Sequence, residues 1–129
     1  MTSDLWALVA TLVLAIVQIG LQSVLVLRQL GPEWVLSSRD EPKEVVGLGG
    51  RFVRAHRNLL EIFPQFLAAL FVVHAAGLNE QLTVFGAWTF FIARCAYVPA
   101  YAFGPTGLRS ICWQAGQIGI LVILADLFF

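Results

Sequence analysis

The sequence predicts an all-α fold, an antiparallel bundle of four helices that span a membrane, and three observations carry that prediction. The chain is 59% hydrophobic and only 12% charged, and its mean hydropathy is +0.82, far more apolar than a soluble domain of this size can hide. Four stretches, at about 5–27, 59–78, 82–103 and 111–129, are each long enough to cross a hydrocarbon layer ~30 Å thick at ~1.5 Å per helical residue. The links between successive later stretches are short, Asn79 to Gln81 and Gly104 to Ser110, which forces neighbouring spans to run in opposite directions.

The first span, Leu5 to Leu27, begins without a basic segment and has no small-residue cleavage site, so it is expected to be retained and not removed as a signal peptide. Residues 28–50 follow as the one long polar loop. Its Gly31-Pro32, Ser37 to Pro42 and Gly47 to Gly50 runs are all breaker or turn chemistry. Arg51 to Asn58 contains no breaker, so the second helix is expected to start in water and descend into the bilayer as the 59–78 span. The third and fourth spans complete a single domain over residues 1–129, with no internal repeat.

Charge placement orients the bundle. Arg28, Arg39, Lys43, Arg51, Arg54 and Arg57 lie between the first two spans, and Arg109 lies between the last two. The positive-inside rule makes those loops cytoplasmic and puts both termini on the opposite side. The formal net charge is zero, so nothing in the charge balance points to a nucleic-acid partner. Cys95 and Cys112 lack metal-ligand or redox spacing and read as small apolar filler, with no metal expected.

Glu61 and Arg94 are charges inside spans, where they cost a few kcal/mol unless they face protein or water. Arg51, Arg54, Asn58 and Glu61 are three, four and three residues apart and share one face of the second helix; Arg94, Tyr97 and Tyr101 share one face of the third. With Arg57 and Phe103 at the boundary, Glu61 is ~6 Å deep and Arg94 ~14 Å, an offset that an arginine side chain covers. The two stripes are therefore expected to meet in a polar cavity open to the cytoplasm, with Arg109 at its mouth. The blander reading is a buried Glu61–Arg94 ion pair that fixes helix packing, with the tyrosines as interface anchors. His74 is expected to make an interfacial hydrogen bond and Asp126 to reach the outer interface. The Gln18/Gln22 and Gln114/Gln117 pairs are expected to bond between helices.

Arginines beside a carboxylate and an amide suit a small anionic, peptide-like ligand, and a guanidinium near a ligand thiol would favour its thiolate. Arg54-Ala55-His56-Arg57-Asn58-Leu59-Leu60-Glu61-Ile62-Phe63-Pro64 closely resembles the Arg-Ala-x-x-Asn-x-x-Glu-x-x-Pro signature of the MAPEG family, the membrane-associated proteins in eicosanoid and glutathione metabolism. Ala93-Arg94-Cys95-Ala96-Tyr97-Val98-Pro99-Ala100-Tyr101 resembles that family's third-helix signature. The resemblance implies a homotrimer in lipid, with glutathione as co-substrate bound between subunits near the cytoplasmic face and no metal. Arg54, Asn58, Glu61, Arg94, Tyr97 and Tyr101 would be glutathione contacts, Arg28 would reach in from the neighbouring subunit, and Arg109 would stabilise the thiolate. The family's corresponding late arginine stands one residue closer to the second tyrosine. His56 and Ile62 depart from the leukotriene C4 synthase-like members, and the Ser37 to Pro42 loop looks like that of small bacterial members.

The resemblance therefore implies a bacterial inner-membrane transferase or peroxidase that acts on hydrophobic small-molecule electrophiles. The competing expectation is a non-catalytic scaffold, or a lipid-binding accessory subunit of a larger complex, with the same fold.

Overall fold

The computed structural model describes residues 1–78 and 81–129. It contains α1 (Ser3–Leu36), α2 (Gly47–Ala75), α3 (Gln81–Phe103) and α4 (Thr106–Ala125), each long and apolar enough to cross a membrane. The expected link at Asn79 to Gln81 falls on two residues, 79 and 80, that lie outside the described ones.

The helices run further than hydropathy alone indicates. α1 continues past residue 27, bends at Gly31, whose φ is +79°, and resumes at Pro32. Glycine supplies the left-handed conformation, and a proline in a first turn gives up no hydrogen bond. The loop is consequently reduced to residues 37–46 and is tied back at both ends. Trp34 Nε1 donates to Glu41 O at 2.9 Å, and the Gln29 amide both donates to Val46 O and accepts from Val46 N at 2.9 Å. α4 likewise starts four residues before residue 110, at Thr106, because Pro105 stands at its N-cap.

The core is built on α2. Leu59, Ile62, Phe66, Ala69, Leu70 and Val73 recur at helical spacing and are buried against Ala87 and Phe90 of α3, Ile120 and Ile123 of α4, and Ala7 of α1. Phe66 and Phe90 stack with centroids 4.1 Å apart. α3 and α4 pack closest, because Gly86 and Gly119 meet backbone to backbone. A Cβ on Gly86 would lie 2.6 Å from Gly119 O. α1 packs on α2 and α3 and not on α4. Its outward aliphatics, among them Leu12, Val13, Ile16 and Val17, are exposed as lipid would require.

Two polar contacts close the end of the bundle that carries the termini. Asp4 is fully buried and pairs with His74 at 2.5 Å; Thr83 donates to Asp126 at 2.5 Å. His74 thus finds its hydrogen bond on α1. Asp126 does not reach an interface as expected: it is 4% exposed, because the turn after α4 folds it back against the start of α3. Cys95 is not interior filler either, since it faces outward and is exposed.

Candidate functional site

The site lies at the opposite end, where α2, α3 and α4 present charged faces. Arg51 and Arg54 are one turn apart on α2. The Arg51 guanidinium donates to Ala102 O at 2.7 Å and closes the C-terminus of α3, where free carbonyls and the helix dipole favour a cation. Arg54 Nε donates to the Tyr101 hydroxyl at 3.1 Å, and its guanidinium carbon lies 5.9 Å from the ring centroid. From α4, the Arg109 guanidinium covers the same ring at 5.0 Å. Tyr101 is therefore a shared platform for two arginines.

A second layer lies one turn deeper. Tyr97 is buried with its ring centroid 5.7 Å from that of Tyr101, and the Arg94 guanidinium carbon sits 4.2 Å from the Tyr97 centroid. Arg94 is completely buried, and none of its Nε, Nη1 or Nη2 atoms has a hydrogen-bond partner. All three nitrogens of this buried guanidinium thus lack a hydrogen bond within the subunit.

Two cavities open onto these residues. One, of about 320 Å³, is lined by Arg51, Arg54, Tyr101, Thr106 and Arg109 among others; its neighbour, of about 240 Å³, is lined by Tyr97, Arg109, Ser110, Trp113 and Gln114. Arg109 belongs to both. The structure thus gathers Arg54, Arg94, Tyr97, Tyr101 and Arg109 into one connected string. Asn58 is half-buried nearby, with its Oδ1 sealed and unpartnered. Arg28 is exposed on α1 and makes no hydrogen bond or ring contact with the string.

The expected Glu61–Arg94 pair does not form within the subunit. Among the described residues no salt bridge joins Glu61 to Arg94, whose three nitrogens are all unpartnered. Glu61 is exposed because its neighbours Leu59 and Ile62 take the core-facing positions of α2, which turns residue 61 outward. Arg94 turns the other way, toward α4: its Cδ would lie 3.7 Å from a Cβ built on Gly116. Residues from α4 were the main omission of sequence reasoning. Gln114 lines a cavity and not a helix–helix bond, and Thr106, Ser110 and Trp113 join it. Their signal was present, since Thr106, Ser110 and Trp113 share one helical face with Arg109.

Four spanning helices with an arginine–tyrosine site at one end define an integral membrane protein with a polar pocket at the edge of its bundle. The MAPEG family model matches residues 7–129, essentially the whole chain, and the chain belongs to the MAPEG family. That family includes glutathione-dependent transferases and peroxidases among other members. No curated protein matches the chain.

Proposed function

We propose that the chain is a glutathione-dependent membrane transferase or peroxidase that acts on hydrophobic electrophiles. The observation that carries this reading is Arg94, buried with its three nitrogens unpaired against Tyr97, whose ring lines the smaller cavity beside Arg109. The residues fit a tripeptide with two carboxylates: guanidinium groups pair with carboxylates, the exposed Glu61 accepts from an ammonium group, and the unsatisfied Asn58 Oδ1 accepts from an amide. Arg28 contributes from the neighbouring subunit of a homotrimer, which also covers the polar faces that one thin bundle leaves open.

Bound glutathione supplies a nucleophilic sulfur. Arg109 holds the charge that this sulfur gains on losing its proton, and the span surfaces let an apolar electrophile enter from the bilayer. Conjugation of an aromatic halide forms the carbon–sulfur bond and releases halide. Reduction of a hydroperoxide transfers one oxygen to sulfur and releases the alcohol, and a second glutathione then yields the disulfide and water. The arginine-rich loop end faces the cytoplasm of a bacterial inner membrane, with both termini outside.

The test is to add glutathione to the purified protein, record thiolate absorbance in the ultraviolet, and measure turnover of a generic aromatic halide and a lipid hydroperoxide. Thiolate with turnover of either substrate supports the reading. Saturating glutathione without thiolate or turnover would leave the non-catalytic scaffold in its place.

A further inference from the structure

Away from that site, a set of polar atoms is sealed in the seam between α1 and α2. Gln18 is 4% exposed, and both its amide atoms are sealed without a partner. Gln22 Oε1 and His56 Nδ1 are sealed and unpartnered as well. His56 as a residue is 4% exposed, yet its Nε2 is not among the sealed atoms, so the ring runs from the interior to the surface.

These groups belong to one layer. α1 buries Asp4, Ala7, Thr11 and Gln18 on a single stripe, and Gln22 is the next turn of that stripe. The stripe touches α2 at both ends, through Asp4 with His74 and through Gln29 with Val46. Antiparallel helices advance at equal rise, so between those anchors Gln22 is level with roughly residues 53–56 of α2 and Gln18 with roughly residues 57–60. His56 is thus opposite the Gln22 turn. None of the three side chains bonds directly to another, and leaving such groups bare inside a span costs about 1–3 kcal/mol each.

We propose that Gln18, Gln22 and His56 hold a buried water. It accepts from Gln18 Nε2 and donates to Gln22 Oε1 and His56 Nδ1, making about three hydrogen bonds, the usual number for an internal water. A donor facing Nδ1 leaves that nitrogen as an acceptor, so neutral His56 carries its proton on Nε2 and presents an N–H outward at the end of the bundle that bears the arginine cluster. The water therefore satisfies three of the four sealed atoms and sets the tautomer of the histidine beside the Arg54–Arg57 turn. Gln18 and Gln22 act on His56 only through it and are positioning residues.

Nitrogen-15 spectroscopy of the full-length protein in detergent, at a pH where His56 is neutral, tests this without added ligand. Two results are expected: a magnetisation-transfer cross-peak from water to the Gln18 side-chain amide, and a His56 ring with its proton on Nε2 and an accepted hydrogen bond at Nδ1. The Gln22→Leu protein should lose that single tautomer and show a mixture, a change that altered packing alone would not produce. Absence of the water cross-peak in the wild-type protein overturns the water site. A His56 protonated on Nδ1, or a tautomer unchanged in both Gln22→Leu and Gln18→Leu, overturns its role on the histidine.

Discussion

The guanidinium of Arg94 lies 4.2 Å from the centre of the Tyr97 ring, and none of its three nitrogens has a hydrogen bond within the subunit. A desolvated cation–π contact recovers on the order of 2 kcal/mol, against a desolvation cost of several. Without ligand, Arg94→Leu should therefore be as stable as the wild type or more so, while the rise in Tm that glutathione gives the wild type should vanish. Thermal melts with and without glutathione read both. A large loss of ligand-free stability would show that Arg94 holds the bundle together instead.

The separation of Glu61 from Arg94 makes a second, independent statement. With no ion pair to break, Glu61→Leu and Arg94→Leu should change ligand-free stability additively, to within about 0.5 kcal/mol. Glutathione affinity should fall in each. A coupling of 2 kcal/mol or more in the ligand-free double-mutant cycle, the size expected for a broken buried pair, would restore the pair to the resting protein.

The other end of the bundle should respond differently. Asp4 has one oxygen on His74 and the Thr2 side chain as its other polar neighbour, so His74→Leu leaves a buried carboxylate short of a main partner. The expected cost is about 2–3 kcal/mol, kept below that of a wholly buried pair because His74 is partly exposed. Adding Asp4→Leu should return most of the loss. Chemical denaturation of the two variants checks this, and a double variant no better than His74→Leu would argue that the pair carries no mutual dependence.

Much of this molecule could be read from local pattern. Hydropathy alone located the four apolar helices, and the Arg54 to Pro64 and Arg94 to Tyr101 motifs pointed to the family that the whole chain matches. What escaped depends on how helices rotate against one another. Spacing put Glu61 on the arginine stripe, but whether position 61 or 62 meets α3 is decided by Phe66 stacking on Phe90 and by Gly86 meeting Gly119. The burial of Asp126 depends on Thr83, forty-three residues away in sequence, and no local pattern encodes it. The extension of α1 to Leu36 was missed because Gly31-Pro32 reads equally as a loop or as a bend between two helical segments.

The Gly86–Gly119 approach predicts a sharp contrast between glycines. A Cβ at position 119 would be 2.7 Å from Gly86 O and 2.8 Å from Phe90 N, backbone atoms that cannot turn aside, so Gly119→Ala should cost about 1–3 kcal/mol by pushing α3 and α4 apart. Gly20 meets nothing within 4 Å, and Gly20→Ala should be neutral or stabilise by up to about 1 kcal/mol through helix propensity. Tm values that moved together in the two variants would remove the packing explanation.

Arg109 separates chemistry from binding. It is exposed, lines both cavities and covers Tyr101 from α4, yet it takes no part in the apolar core. Arg109→Leu should therefore leave the fold and the assembly unchanged. Arg54, Asn58 and Glu61 remain to hold the peptide, so glutathione affinity should fall only a few-fold. The sulfur loses its counter-charge: a guanidinium within hydrogen-bond reach shifts a thiol by about one to three pKa units, and each unit is worth about 1.4 kcal/mol. The fraction of bound glutathione present as thiolate at neutral pH should drop by about ten-fold or more, and turnover should drop with it, each recovering as pH is raised toward the free thiol value. Arg109→Lys, which keeps the charge but loses the planar fork, should fall between the two. Ultraviolet thiolate absorbance and initial rates across a pH series measure both quantities on one sample. Equal thiolate in wild type and Arg109→Leu would transfer the role to Arg94 or Arg54, the other guanidinium groups beside these tyrosines.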